Sequence, residues 1–242
     1  MPKPSASVAV VGAGDYIGAA IVRRFAREGY HVYAGRRNGE KLAPLVAEVE
    51  TAGGVCTGQS LDARQEDAVT AFMREADETA PLEVVVFNVG ANVNFPVLET
   101  TERVFRKVWE LACYAGFLTG REGARRLLPR GRGSIFFTGA TASVRGGQGY
   151  TAFASAKFGL RAVAQSMARE LAPNNIHVAH LVIDSGVDTE WVRQRVLARG
   201  GSLDHRVLMN PASIAETYWQ LHQQPRDAWT HELDLRPARE TW

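Results

Sequence analysis

Short apolar runs alternate with amphipathic segments along the whole chain of 242 residues. The runs are rich in Val, Ile and Phe, as in LEVVVFN at 82–88, and this composition favours buried strands. Between them, as at 17–29, apolar residues recur three to four positions apart with arginines elsewhere, which predicts amphipathic helices. The pattern predicts strands at 7–12, 31–35, 55–60, 82–88, 133–139, 176–183 and 229–235. It predicts helices at 17–29, 39–52, 64–79, 101–127, 150–172, 189–199 and 211–223.

Near-continuous apolar strands separated by helices are typical of a parallel sheet that is covered on both faces. Right-handed crossovers then give an α/β, Rossmann-type, doubly wound sheet of about seven strands. No linker, repeat or low-complexity segment interrupts the alternation, so we expect a single domain over residues 1–242. In such sheets ligands bind beyond the carboxyl ends of the strands, and the loops that follow the strands should surround one site.

Composition and charge narrow the class of protein. The hydrophobic content of 45% and the charged content of 22% are usual for a soluble globular protein. A net charge of +2 gives no reason to expect a nucleic-acid partner. No apolar run approaches the roughly 18 residues of a membrane span. Cys56 and Cys113 have no metal-site spacing and fit a reducing cytoplasm, and His177 and His180 point to opposite faces of one predicted strand, so we expect no metal.

The first strand leads into a glycine-rich turn, VGAGDYIG at 11–18, which precedes an amphipathic helix. Glycine lets a backbone turn tightly and approach a pyrophosphate, which the helix N-terminus attracts. The turn could instead merely connect a strand to a helix, but the strand–turn–helix context favours nucleotide binding. The cofactor-binding residues predicted here are Gly12, Gly14, Tyr16, Ile17 and Gly18.

The ends of the next three strands carry further candidate cofactor contacts. Gly35 stands where an NAD site usually has a carboxylate, and Arg36 and Arg37 follow it. Guanidinium groups can bind a 2′-phosphate, so we expect NADP(H) to be preferred while NAD(H) stays possible; the alternative is that both arginines are simply exposed. Asp62 could accept from the adenine amine, and we expect the pair Asn88 and Gly90 to brace the adenosine side.

With these features the chain resembles the short-chain dehydrogenase/reductase family over about residues 7–235. The family's TGxxxGxG loop corresponds to VGAGDYIG at 11–18, with Val in place of Thr and Tyr in place of the middle Gly. Its NAG corresponds to NVG at 88–90, and its YxxxK to FASAK at 153–157. Its PGxxxT corresponds to DSGVDT at 184–189, where only Val187 and Thr189 match and are expected to hold the nicotinamide side.

The resemblance implies a catalytic tetrad of Asn, Ser, Tyr and Lys, of which this chain keeps one member. In the family the tyrosine is the general acid/base, and the lysine lowers its pKa and holds the nicotinamide ribose. Here Lys157 is present, whereas Phe153 replaces the tyrosine, Ala140 the serine and Ala112 the asparagine. We therefore interpret the chain as an atypical member, and expect Lys157 to lie in the site rather than face solvent.

Two functions remain open from the sequence. The first is an NAD(P)(H)-dependent oxidoreductase that acts on an unknown small-molecule carbonyl or alcohol with a rearranged proton path. Tyr150, three residues before Phe153, is then the first candidate for a replacement donor. The second is a catalytically silent NADP(H)-binding sensor or partner subunit. The small residues of the 152–172 helix also favour a homodimer or homotetramer, although they could instead serve the core of one chain.

Overall fold

Seven strands form one fully parallel sheet in the computed structural model, which describes residues 4–198, 200–203 and 208–239. Their order across the sheet is β3-β2-β1-β4-β5-β6-β7. All seven predicted strands are confirmed, as is the doubly wound Rossmann-type architecture. The strands are β1 (Ser7–Val11), β2 (His31–Arg36), β3 (Val55–Ser60), β4 (Leu82–Phe87), β5 (Gly133–Thr138), β6 (Ile176–Ile183) and β7 (Glu232–Leu235).

Eight α-helices lie among the described residues and cover both faces of the sheet. Side chains of successive strand residues point to opposite faces, so Val8 and Val10 join one apolar core and Ala9 and Val11 join the other. The helices are α1 (Ile17–Arg27), α2 (Ala43–Thr51), α3 (Glu66–Thr79), α4 (Glu102–Trp109), α5 (Ala115–Leu127), α6 (Thr151–Leu171), α7 (Glu190–Ala198) and α8 (Pro211–His222). Helices α1, α2 and α8 pack on the first face, and α3, α5 and α6 pack on the second.

The predicted helix at 101–127 is interrupted. A π-helical turn, Glu110–Tyr114, separates α4 from α5 and contains the buried Ala112. The turn packs closely on α6, because a Cβ added at Gly159 would lie 2.7 Å from the Cys113 Sγ atom. Such one-turn irregularities concentrate at functional sites, and this one lies behind the part of α6 that carries Lys157.

The sheet reverses its direction of winding between β1 and β4. These two strands are adjacent, and their connections leave toward opposite edges of the sheet. The crevice at such a switch point, beyond the carboxyl ends of the strands, is where doubly wound sheets bind ligands. Among the described residues, no helix combines the length and the apolar character that crossing a bilayer requires.

Candidate active site

Two adjoining cavities open at the carboxyl edge of the sheet. One, the β2-side cavity, has a volume of about 520 Å³ and is lined by the ends of β2 and β3. The other, the α6-side cavity, has a volume of about 610 Å³ and extends to α6 and to the loop after β6. Their shared lining is Gly12, Gly14, Asn88, Val89 and Gly90. The two volumes therefore form one continuous cleft across the switch point.

The glycine turn is folded tightly against the end of β4. Gly12 has a φ of +93°, and a Cβ there would lie 2.5 Å from the Asn88 carbonyl oxygen. The Asn88 side chain donates to the Gly12 carbonyl at 3.0 Å. The Gly12 and Ala13 amides both donate to the Gly35 carbonyl at 2.9 Å. Glycine is thus required at position 12, and Asn88 braces the turn from below.

The backbone amides at the start of α1 line the cleft without a hydrogen-bond acceptor from the backbone of the described residues. Tyr16, Ile17 and Gly18 line the α6-side cavity, and their N–H groups have no backbone acceptor among the residues that the structure describes. Unpaired amides at a helix N-terminus attract an anion. A Cβ at Gly14 would meet nothing within 4 Å, so this residue keeps the space before the helix open.

The predicted residues at the ends of β2 and β3 all line the β2-side cavity. Arg36 Nη1 donates to Asp15 Oδ1 at 2.6 Å, which fixes its guanidinium beside the glycine turn. Arg37 is exposed in the cavity wall. Arg64 donates to both carboxylate oxygens of Asp62, at 2.9 and 2.6 Å, and these hydrogen bonds lower the pKa of that carboxyl group. The cavity therefore presents guanidinium groups next to an ionised carboxylate.

Lys157 is the charged group at the base of the α6-side cavity. Its side chain is only 3% exposed, and Nζ donates to the Thr138 carbonyl at 2.8 Å and to the Val89 carbonyl at 3.3 Å. Burial lowers the pKa of this ammonium to about 8, an effect that the nearby Cys113 thiol opposes. An ammonium has three N–H donors, so one remains without an acceptor among the described residues. Lys157 is therefore a buried cation that can exchange a proton near neutral pH.

At the other three positions that the sequence resemblance assigns to a tetrad, the side chains are apolar. Phe153 and Ala140 line the α6-side cavity, as the resemblance places them. The Phe153 ring lies with its centroid 6.0 Å from Lys157 Nζ. Ala112 is buried in the π-helical turn and lines neither cavity. The wall in front of Lys157 is thus apolar at positions 140 and 153, where the sequence resemblance predicts two hydroxyl groups.

The hydroxyl groups nearest to Ala140 are committed to other partners. Thr138 shares a hydrogen bond of 2.6 Å with Tyr218, and Thr141 donates to Asp184 at 2.6 Å. Ser143 accepts from the Ala140 amide at 3.1 Å. Tyr150 differs, because it lines the cavity and its hydroxyl group has no hydrogen-bond partner in the described part of the chain.

The loop after β6 closes the far side of the α6-side cavity. Val187 and Thr189 line it, together with Val192 of α7. Thr189 Oγ1 accepts from the Val192 amide at 3.1 Å, which fixes the start of α7. The sequence predicts that 186–212 covers the cleft; positions 199 and 204–207 of that stretch lie outside the described residues.

Two features of the site were missed by sequence reasoning. The Tyr16 hydroxyl accepts from the Glu190 amide at 3.1 Å and joins the glycine turn to α7. Arg145 lines the α6-side cavity, from a loop with the sequence SVRGGQG. Neither residue belongs to an element with a periodic pattern. For Arg145, the available sequence signal was a cation in a glycine-rich loop that follows the end of a strand.

Known proteins match this chain in sequence and in fold. The family model for short chain dehydrogenase matches residues 6–200. A crystal structure of a short-chain dehydrogenase from Rhodopseudomonas palustris is 64% identical, with a TM-score of 0.84 over 96% of this chain and 99% of that chain. The 1-deoxy-11-beta-hydroxypentalenate dehydrogenase of Streptomyces exfoliatus is 29% identical over 215 residues, which are 87% of this chain and 77% of that protein.

A more distant match concerns the fold alone. A variant of actinorhodin polyketide ketoreductase, whose crystal structure was solved with NADPH, superposes with a TM-score of 0.87 over 98% of both chains at 22% identity. The architecture described above is thus shared with proteins of quite different sequence.

Proposed function

Because the chain belongs to the short-chain dehydrogenase family, we propose that it is an NADP(H)-dependent oxidoreductase that interconverts an alcohol and a carbonyl compound. The observation that carries the proposal is the continuous cleft that joins Arg36 and Arg37 at one end to the buried Lys157 at the other. A dinucleotide is elongated and anionic, and this cleft is elongated and lined with cations.

The residues of the cleft fit a dinucleotide. Added Cβ atoms at Gly14 and Gly90, which line both cavities, would meet nothing within 4 Å, so both positions leave the floor open. We assign the pyrophosphate to the free amides of Tyr16, Ile17 and Gly18, and the adenine to the side of Asp62 and Asn88. Val187 and Thr189 would then contact the nicotinamide end, and Lys157 the adjoining ribose.

The preference for NADP(H) rests on charge. A 2′-phosphate beside Arg37 would gain charge-assisted hydrogen bonds, and no carboxylate stands at Gly35 to repel it. The Arg36 guanidinium is paired with Asp15, so Arg36 would contribute to the NADP(H) preference mainly as a positive charge at a fixed position. NADPH-bound actinorhodin polyketide ketoreductase shares the fold, but the argument depends on the two arginines of this chain.

When bound, NADPH supplies the hydride for reduction of the carbonyl carbon. The protein then has to stabilise the developing negative charge on the oxygen and deliver one proton. Lys157 can do both where its third N–H reaches the substrate oxygen rather than the ribose, because its pKa of about 8 keeps much of it protonated at neutral pH and lets it exchange protons. Tyr150 is the second candidate, since it lines the same cavity and its hydroxyl group has no hydrogen-bond partner among the described residues.

The apolar wall at Phe153 and Ala140 defines how this site departs from its family. A positioned general acid is worth roughly 10²–10⁴-fold in rate, so a reaction that proceeds here depends on Lys157 or Tyr150. The same wall also supports the alternative function, a protein that binds NADP(H) without turnover and acts as a sensor or partner subunit. Three of four tetrad positions without a polar group are what that alternative predicts.

One double variant separates the two functions. Phe153→Tyr combined with Ala140→Ser restores both hydroxyl groups in front of Lys157. We expect the unmodified protein to oxidise NADPH with at least one member of a broad carbonyl panel, and the double variant to lose much of that activity because the evolved proton path is displaced. If instead the unmodified protein binds NADPH but is inactive over the whole panel, and the double variant gains activity, the silent-binder function is correct.

We further propose that the protein forms a homodimer or homotetramer through α4, α5 and α6. Most alanines of α6, including Ala152, Ala156 and Ala164, are buried within one chain and so do not carry this proposal. Its support is an exposed aromatic face of Phe105, Trp109, Phe117 and Phe158, each about 40% exposed. Light scattering that gave a single 26.4 kDa species would overturn it.

We also place the protein in a reducing cytoplasm. Cys56 and Cys113 are both free and buried, and burial raises the pKa of the Cys56 thiol to about 12 and also raises that of Cys113. Thiols with such pKa values are unreactive. Fractionation of the native host, with detection of this chain, tests the assignment.

A further inference from the structure

The charged lining of the α6-side cavity is unbalanced. Its charged members are Asp15, Arg145 and Lys157. Asp15 is paired with Arg36, and two of the Lys157 donors are taken by backbone carbonyl groups. Arg145 is half exposed, and its one ionic contact within the described chain is to Asp184 Oδ1 at 3.6 Å, beyond hydrogen-bond distance. Arg145 therefore lines the cavity with a guanidinium group whose N–H donors make no hydrogen bond to the described residues.

The Asp184 carboxylate has closer partners than Arg145. This buried carboxylate accepts from the Thr141 hydroxyl at 2.6 Å, and Arg236 Nη2 lies 3.3 Å from its other oxygen. Its charge is therefore already compensated by a closer cation. Arg145 can turn its donors toward the cavity without leaving an unpaired buried carboxylate.

The backbone that carries Arg145 is fixed in place. The Arg145 amide donates to the Thr141 carbonyl at 3.1 Å, which ends the turn after β5. A few residues later the loop is tied to its neighbour, because Asn94 Nδ2 donates to the Gln148 carbonyl at 3.1 Å and the Phe95 amide donates to the Gly149 carbonyl at 2.8 Å. The guanidinium is thus presented from an anchored loop.

We propose that Arg145 binds a carboxylate of the substrate, so that the substrate class is an oxo acid or hydroxy acid with an apolar body. This inference rests on the proposed oxidoreductase function. The apolar body is indicated by Ala142, Val187 and Val192, which line the same cavity. The oxygen that reacts would lie toward Lys157, and the carboxylate toward Arg145.

A carboxylate fits better than a phosphate monoester. Both are oxyanions that a guanidinium fork can bind. A phosphate monoester carries nearly two negative charges, and the Asp184 carboxylate lies only 3.6 Å from the Arg145 guanidinium. An anion bound to the same guanidinium would share it with the Asp184 carboxylate, and the repulsion between them grows with the charge of the anion, so a single negative charge is favoured.

The test is equilibrium binding to the NADP⁺-loaded protein by calorimetry, because bound NADPH would be consumed by an oxo acid that reacts. The probes are levulinate and its longer straight-chain homologues, each compared with its own methyl ester. A second arm compares dihydroxyacetone phosphate with dihydroxyacetone. NADPH binding is measured first, by itself, so that a failure of the proposed function is seen separately from a failure of this inference.

The matched variants are Arg145→Gln and Arg74→Gln. Arg74 on α3 is a good control because it is 52% exposed with an ion pair to Glu78 at 3.8 Å, against 50% and 3.6 Å for Arg145. We expect the acids to bind roughly tenfold more tightly than their esters. Arg145→Gln should abolish this preference, Arg145→Lys should keep part of it, and Arg74→Gln should leave it intact.

Several results would overturn the inference. One is a protein that binds NADPH normally but does not distinguish acids from esters, or binds neither. Another is an acid preference that survives in Arg145→Gln. Tighter binding of dihydroxyacetone phosphate than of the oxo acids would mean that the group bound by Arg145 is a phosphate rather than a carboxylate. Failure to bind NADPH at all would remove the proposed function and this inference together.

Discussion

The β2-side and α6-side cavities share one glycine floor but differ sharply in what lines the rest. The β2-side cavity presents Arg36, Arg37 and Asp62, the polar groups that the sequence predicts for a cofactor site. The α6-side cavity has apolar side chains at positions 140 and 153, where the sequence resemblance predicts hydroxyl groups, and has Lys157 at its base. Under the proposed function, the contacts to the adenine and the 2′-phosphate depend on the β2-side wall, whereas proton transfer depends on the α6-side wall.

The glycine floor and the wall at Phe153 differ in how strongly the structure restricts the residue at each position. The floor is constrained by backbone geometry, since Gly12 has a positive φ and no room for a Cβ. The wall at Phe153 is constrained only by packing, because an apolar ring fills its place as well as a phenol would. Under the proposed function, the cofactor contacts would persist while the proton path changes.

The largest expected effect on activity comes from removing the Lys157 ammonium group. Lys157→Met should lower kcat/KM by roughly 10²–10⁴-fold, the worth of a positioned acid. Lys107→Met, an exposed lysine of α4, is the control. Steady-state kinetics on an active carbonyl compound measure both. Equal kcat/KM values for the two variants would mean that the reaction does not depend on Lys157.

The next effect concerns the shared floor. Gly14→Leu should fold normally, since a Cβ there would meet nothing within 4 Å, yet the longer side chain would extend into the cleft and weaken NADPH binding by about 100-fold or more. Gly146→Leu is the matched control, because position 146 is equally open but does not line either cavity. Fluorescence titration with NADPH compares the two. Unchanged affinity in Gly14→Leu would place the dinucleotide elsewhere.

A third prediction uses the stability of the folded chain against pH. The pKa of Lys157 falls from 10.5 to about 8 on burial. Between these values the unfolded chain binds more protons than the folded one, so the free energy of unfolding rises with pH. Relative to Lys157→Met, it should rise by about 3 kcal/mol from pH 7 to pH 10.5. Chemical denaturation at several pH values measures this, and parallel curves would show that Lys157 is not buried as a cation.

The smallest effect is on the choice between cofactors. Arg37→Gln should lower the preference for NADPH over NADH by roughly tenfold, because Arg37 is exposed and partly screened by solvent. Arg74→Gln on α3 should not change it. The ratio of the two dissociation constants is the measurement, and raised salt should reduce the effect. An unchanged ratio would assign the discrimination to Arg36 alone or to neither arginine.

The sequence predicted the fold well because the signals were local. Runs such as Val84–Val85–Val86 leave little choice but a buried strand, and the glycine turn was predictable because Gly12 performs a task that other residues cannot. The π-helical turn at Glu110–Tyr114 was missed, since its residues read as an ordinary helix. The pairing of Arg36 with Asp15 and the orientation of Arg145 depend on loops brought together by the fold, which no periodicity encodes.

The central claim is that the shared cleft is a site for a phosphorylated adenine dinucleotide. Isothermal titration calorimetry of the purified, folded protein with NADPH and then with NADH tests it most directly. The account predicts saturable binding of one molecule per chain, tighter for NADPH than for NADH. No heat of binding from either nucleotide at about millimolar concentration would contradict it.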